Sequence, residues 1–361
     1  MTKVAFCGAQ HPHVFPRLDL LGPRDDAEVV ALYEPERRVS DHIADRYGVP
    51  VVGSVEELIA AAPDLAILEG LDHENPGYAV ALAEAGCDLL IEKPGAPTAE
   101  AMRDLVARVE ATPVHAQIGY MLRHSPVVPR LARLVADGAL GHITLARFHA
   151  AAPVGCAAEL WQSLPDDEGG VVYTDGCHMM DVILHLLGKP SGVQGLIKRL
   201  PTGPRAVSTQ FKPDVLSGLG GEAEFGLGEL VHEDCGGAIL DYPDKLAVFD
   251  VTGWEAHGWV EQWRIELFGT EATAYAGLMP PWLRVGRGET WDEWRPDGDA
   301  PTGAEVSLVA DVSYETELDH LLERLSRGER TQDGLREGLD VVETLAAIFR
   351  SSREEGRRVE P

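Results

Sequence analysis

Apolar runs and helically spaced segments alternate through the first 120 residues. "KVAFCG" (3–8) is a short apolar run closed by a glycine, which suits a strand buried on both faces and followed by a turn. Runs of the same kind are "EVVALYE" (28–34), "VPVVG" (49–53), "PDLAILEG" (63–70), "CDLLIE" (87–92) and "VHAQIGYM" (114–121). Between them, "RRVSDHIADRYG" has helical spacing and ends in Gly48, a helix-stop signal. Ser54 and Glu57 stand in capping-box spacing, and Thr98 is placed to cap the helix that follows it. Six strands alternating with helices predict a doubly wound parallel sheet of α/β class. Ligands of such sheets bind at the carboxyl ends of the strands. Gly8 to His13, Glu34, Glu69 to His73 and Glu92 to Pro94 all fall at those ends.

After residue 121 the texture changes. "HITLARFHAA", "SGVQGLIKRL", "EAEFGL", "AILDYP", "LAVFDVTGW" and "EQWRIELFGT" read as longer strands without crossover helices, hence a largely antiparallel sheet. Residues 151–168 and 201–221 read as loops, and two helical segments close the chain. The expected division is a dinucleotide-binding domain over 1–121 and a second domain over 122–361, which suits a chain of 361 residues.

Composition narrows the partners. A net charge of −28 disfavours nucleic acid and anionic membrane. No run of 18 apolar residues exists, and the N-terminus reads as a strand, so no membrane span or signal peptide is expected. The five cysteines form no CxxC pair and are odd in number, which fits a reducing compartment such as the cytoplasm. Only 6 of the 31 basic residues are lysines, and one of them, Lys93, is wedged in "IEKPGAPT". The acidic, lysine-poor composition fits either salt adaptation or a GC-rich genome.

Two clusters carry candidate chemistry. A strand, Gly8 and a helix form the start of a dinucleotide-binding unit, whose usual fingerprint is G-x-G-x-x-G. Gly8 matches, but Gln10 and His13 take the other two glycine places. Glu34 ends the second strand, where an acid accepts hydrogen bonds from a ribose diol and repels a 2′-phosphate. NAD is therefore expected. Arg37 and Arg38 just beyond either admit NADP or are solvated helix residues. His11 and His13 form an H-x-H pair; with no further ligand at suitable spacing, no metal is expected, and the pair reads as capping the turn and touching phosphate. The second cluster is "GGVVYTDGCHMMDVILHLLG" (169–188). His178 and Asp181 share a helix face there, and the helix dipole favours a neutral histidine. Together the clusters suggest oxidation of a secondary alcohol, with His178 taking the proton and Lys93 beside the oxygen.

The chain resembles the Gfo/Idh/MocA oxidoreductases in "AEAGCDLLIEKPGAPTAEAM", "GYMLRHSP", "LGHITLARF", "GGVVYTDGCHMMD", "RIELFGTEAT" and the closing helical segments. The resemblance implies an N-terminal Rossmann domain and a C-terminal α/β domain on an open, mainly antiparallel sheet that commonly forms homodimers or homotetramers. It implies NAD or NADP, and a sugar, polyol or cyclitol as substrate. Lys93 would touch nicotinamide ribose and substrate oxygen, His178 would be the proton acceptor, and Asp181 would orient the site. Tyr120, Arg123, Trp161 and Tyr173 fall in substrate-side segments; core packing for Tyr120 and Trp161, and a salt bridge for Arg123, are the alternatives. His73, Glu69, Glu92 and Pro94 would line the cofactor edge. Three departures stand out. The glycine fingerprint is degraded. "EGLDHEN" replaces a "TPNHLH"-like stretch. Thr174 stands where the family carries an Asp, with Asp175 one place later. Besides a dehydrogenase, an epimerase or glycoside-cleaving enzyme that recycles its NAD, and a non-catalytic dinucleotide-binding sensor, fit the same residues.

Overall fold

The structure is a computed structural model, described here for residues 1–151, 169–199, 205–208, 225–228, 232–254, 263–296 and 312–361. Strands β1 (Thr2–Ala9), β2 (Ala27–Tyr33), β3 (Leu65–Glu69), β4 (Asp88–Ile91) and β5 (Ala116–Ile118) form a parallel sheet in the order β2-β1-β3-β4-β5. The alternation of side chains along these strands fills two apolar layers. Val4, Phe6, Leu32, Leu65, Ile67 and Leu90 face one side with the helices Val14–Leu21 and Arg37–Tyr47 and the late helix Val312–Ser326. Ala5, Cys7, Ala66, Leu68, Leu89 and Ile91 face the other. That side is covered by helices Asn75–Glu84 and Ala99–Val109.

Several local signals act as their chemistry requires. Gly48 adopts φ 68° at the end of Arg37–Tyr47. Ser54 accepts from Glu57 N–H, and Thr98 from Ala101 N–H. The expected strand at 49–53 is corrected: it shrinks to one bridge, Val51 against Leu32. Pro50 has no N–H to extend a ladder, and its carbonyl and the Val52 N–H account for the pairing with Leu32.

The second sheet has eight strands. They are β6 (Ile143–Ala151), β7 (Gly192–Lys198), β10 (Cys235–Asp241), β11 (Leu246–Thr252), β12 (Arg264–Gly269), β13 (Thr273–Gly277), β14 (Trp282–Arg287) and β15 (Thr290–Trp294). The order is β15-β14-β13-β12-β6-β11-β10-β7, antiparallel throughout except where β6 meets β11. Phe148, Phe249, Leu240, Ile265 and Leu267 point into the core, where helix Gly176–Leu187 contributes Met179, Met180 and Ile183. Two readings are corrected here. Within 280–310, to which the sequence reading assigned no element, β14 and β15 form a hairpin that turns at Gly288. Within 201–221, read as a loop, β8 (Arg205–Ser208) pairs with β9 (Phe225–Gly228). Among the described residues no helix is long and apolar enough to cross a membrane.

The helix Asp333–Arg353 ties the two sheets together. Near its start Gly338 lies against β5, where a Cβ would stand 2.4 Å from Ile118 Cγ1. Farther along, Ser351 Oγ accepts from Gly195 N–H of β7 at 2.9 Å. Close approach at Gly338 is what lets one helix serve both sheets. Gly338→Val is expected to destabilise the fold by about 1–3 kcal/mol through overpacking. Urea unfolding measures this, and an unchanged midpoint would contradict the close contact.

Candidate active site

The carboxyl ends of β1, β3 and β4 converge, as parallel strands must. Gly8 closes β1 with φ 76°, and a Cβ there would stand 2.4 Å from Gly70 Cα. Only glycine lets the turn after β1 lie this close to the turn after β3. Glu34, just past β2, accepts from Ala9 N–H and Glu36 N–H, each at 2.7 Å, and from Gln10 Nε2 at 3.3 Å. Burial pushes its carboxyl up to about 7, against the pull of these bonds. A close glycine turn and an acceptor ending β2 suit the ribose end of a dinucleotide. Gln10 stands where a glycine usually admits the pyrophosphate, and His13 where one usually lets helix and strand pack closely. Arg38 and His73 are exposed, and Arg37 pairs loosely with Asp41 at 3.8 Å.

Beneath this edge lies a buried ionic cluster. Arg17, one turn into helix Val14–Leu21, reaches Glu69 Oε1 with Nε at 2.6 Å and Glu317 Oε2 with Nη1 at 2.7 Å. All three side chains are essentially solvent-free. Burial opposes the charge on Arg17, but Glu317, Glu69 and Glu92 more than offset it. Burial raises Glu69, helped by the charge on Glu92 and opposed by Arg17. Burial also lifts Glu92 to about 7, opposed by Lys93 and Arg17. His11 and His13 come down onto the same carboxylates: His13 Nδ1 is 2.9 Å from Glu92 Oε1, and His11 Nδ1 is 3.5 Å from it. Arg17, Glu317 and Tyr314, whose ring lies 5.2 Å from His13, were missed in the sequence. An arginine within the mostly apolar "VFPRLDLL", which holds one other charge at Asp19, was the available signal for Arg17.

Lys93 sits beside this cluster, buried, with a cis bond to the buried Pro94. Its Nζ donates to the backbone carbonyl of Thr174 at 2.9 Å. The departure at position 174 is thus met through the main chain, while the Thr174 hydroxyl donates to Gly170 O at 3.1 Å. Asp175 follows, half-buried, within 3.4 Å of that hydroxyl; burial raises its carboxyl, and Lys93 opposes the shift. His178 lies in the first turn of helix Gly176–Leu187, with its ring 6.2 Å from those of His13 and Tyr120 and 5.9 Å from that of Trp263. Among the described residues its Nδ1 has no hydrogen-bond partner, nor does the Tyr120 hydroxyl. Burial, and then the charge of Lys93, hold His178 well below the usual imidazole range. Trp263 was quoted in the sequence only as part of a strand.

Other expected residues have different surroundings. Asp181 is buried and takes Arg123 in a two-point ion pair, Nε to Oδ2 at 2.9 Å and Nη2 to Oδ1, while Arg123 also bonds Glu337. The Tyr173 hydroxyl donates to Ala96 O at 2.7 Å. Trp161 lies outside the described residues.

Two outcomes follow from this electrostatic arrangement. Arg17→Met should destabilise the protein by about 3–5 kcal/mol, because it leaves buried carboxylates without their cation; a loss under about 1 kcal/mol in urea would refute that role. Burial and then Lys93 hold His178 well below the usual imidazole range in the fold, whereas the unfolded chain takes up the proton near about 6.5. Its contribution is therefore full above that pH and is lost as pH falls, by about 1.4 kcal/mol per unit. His178→Leu should gain on the wild type by about that amount between roughly pH 6.5 and 5.5, read from paired urea titrations.

Comparison with known proteins agrees with this architecture. Residues 2–120 match the model of the oxidoreductase family's NAD-binding Rossmann fold, and residues 128–275 match the GFO/IDH/MocA C-terminal domain. Trans-1,2-dihydrobenzene-1,2-diol dehydrogenase of Oryctolagus cuniculus is 29% identical over 194 residues, 50% of this chain and 56% of that protein. D-glucoside 3-dehydrogenase of Escherichia coli (strain K12) is 26% identical over 173 residues, 46% of this chain and 49% of that protein. The chain spans about half the length of the curated relatives it matches. In overall fold it is similar to levoglucosan dehydrogenase in its apo form, with a TM-score of 0.80, 18% identity, and 99% of this chain and 98% of that one covered. It is also similar to GenD2 from gentamicin A biosynthesis in complex with NAD, with a TM-score of 0.77, 21% identity, and 100% and 96% covered. With matches that together cover the parallel sheet and most of the second sheet, the chain belongs to the GFO/IDH/MocA oxidoreductase family.

Proposed function

We propose that the protein is an NAD-dependent dehydrogenase acting on a secondary hydroxyl of a sugar, glycoside or cyclitol. The observation that carries this reading is the hydrogen bond from Lys93 Nζ to Thr174 O. It joins the turn after β4 to the segment that opens the His178 helix, so a cation and a neutral imidazole share one buried edge. The diol and glucoside named for the two curated relatives supply the substrate class.

Bound NAD supplies the hydride acceptor. Lys93 would donate to the substrate oxygen and stabilise the negative charge that grows there as the C–H bond breaks. His178 would accept the hydroxyl proton. It is suited to that step because burial, Lys93 and the helix N-terminus all keep it neutral. Tyr120 and Trp263 pack against the imidazole and limit its rotation. Arg123 and Asp181 fasten the middle of the His178 helix to the segment after β5 and act as positioning residues. In this reading residues 1–121 carry the cofactor and 122–361 the substrate.

The test is a screen of glucosides, free sugars and cyclitols for NADH formation. With an accepted substrate, Lys93→Ala and His178→Ala should each lower kcat by roughly 10²–10⁴-fold. Wild-type turnover in both variants would remove the mechanism.

A further inference from the structure

We infer that His11, His13, Glu69 and Glu92 form a binding site for one divalent transition-metal ion of the zinc class. One donor atom from each of these four buried residues lies within 4.8 Å of all the others. Four donors about 2.1 Å from a common ion stand roughly 3.0–3.5 Å apart. Here His13 Nδ1 is 2.9 Å, and His11 Nδ1 3.5 Å, from Glu92 Oε1, while His11 Nδ1 is 3.9 Å from Glu69 Oε2. The widest separation in the set is at most 4.8 Å, so side-chain rotations of about an ångström close it around an ion.

The carboxylates point to a ligand independently of that spacing. Glu69 Oε2 and both oxygens of Glu92 are 0% and 1% exposed by residue and, among the described residues, are satisfied by no regular hydrogen bond, His13 Nδ1 at 2.9 Å from Glu92 Oε1 being the closest approach. Buried carboxylate oxygens without a donor are costly. Positive charge is also scarce: among the described residues Glu69, Glu92 and Glu317 are met by Arg17 and Lys93, while Arg123, which acts on Glu317, is already paired with Asp181 and Glu337. A divalent ion on the free oxygens answers both deficits. Two imidazoles and two carboxylates form a mixed N/O set suited to zinc and its first-row neighbours rather than to calcium or magnesium. Outer contacts are already in place: Arg17 Nε holds Glu69 Oε1 and leaves Oε2 to the ion, and Glu317 holds Arg17. The long contact from His13 N–H to His11 Nδ1, at 3.3 Å, is the one that must yield. Lys93 Nζ, 3.9 Å from Glu92 Oε1, and Arg17 Nη2, 3.9 Å from Glu92 Oε2, are the nearest other cations. The ion would clamp the turn after β1 onto the ends of β3 and β4, at the place where glycines of the usual fingerprint are missing. This departs from the metal-free expectation drawn from sequence spacing.

The test uses the full chain, freed of metal by a chelator and dialysed, then titrated with ZnCl₂ and separately with CoCl₂. The expected result is about one ion per chain by elemental analysis, a visible d–d spectrum for the Co²⁺ form, and a raised melting temperature with Zn²⁺. His13→Ala and the near-isosteric Glu92→Gln should each weaken binding on the order of 100-fold or more. His149→Ala, which alters a half-buried histidine of the second sheet paired with Asp250, should leave it unchanged. The proposal fails if the wild type takes up no stoichiometric ion, which would leave a proton shared by Glu69 and Glu92 as the compensating charge. It also fails if uptake persists undiminished in a folded Glu92→Gln variant. Neither readout involves turnover, so failure here leaves the dehydrogenase reading standing, and the reverse holds too.

Discussion

Arg17 is the interaction around which the rest is arranged. It is a guanidinium with almost no solvent contact, and its two forks join Glu69, at the end of β3, to Glu317, in a helix some 300 residues away along the chain. Such a group is tolerable in an apolar interior only if its partners are fixed in place. It therefore constrains three elements at once: the first helix, the edge of the parallel sheet and the helix Val312–Ser326. The site inherits its position from that constraint. Glu69 and Glu92 are held side by side, and His11, His13 and Lys93 gather on their remaining oxygens.

The fold was legible because its signals are local and repeated. Period-two and continuous apolar runs, a capping serine and threonine and a left-handed glycine need only a few neighbouring residues to act. The failures were local too. At 49–53 an apolar composition suggested a strand, but Pro50 removes the donor that a ladder needs. The hairpin Trp282–Trp294 is rich in charged and exposed residues, so its alternation carried little apolar signal.

The site was legible in part for a different reason. Lys93 and His178 announce themselves by unusual context, a lone lysine after an apolar strand and a histidine in a polar helix start. Their link, however, runs through the carbonyl of Thr174, an atom every residue possesses, so the side chain at 174 could not reveal it. Ion pairs such as Arg17 with Glu317 or Arg123 with Asp181 join distant segments, and no spacing rule reaches across such intervals. The gathering of His11 and His13 with Glu69 and Glu92 was hidden in the same way. Its members end three separate strands, and only the strand order places them together.

The helix that serves both sheets also affects the order in which the molecule can be completed. β5 is three residues long, and its outer side is satisfied from far away: Ala116 N–H donates to Thr331 O, and Thr331 N–H reaches His115 across 216 residues. The Gln332 amide then holds the carbonyls of Val109, Thr112 and Val114. Until that late segment has been synthesised, the parallel sheet carries an unfinished edge and an uncovered apolar face. Emergence of the first sheet from the ribosome is therefore not its moment of folding. The nascent chain must hold this surface through the translation of the whole antiparallel half, which is the interval in which a chaperone would matter most.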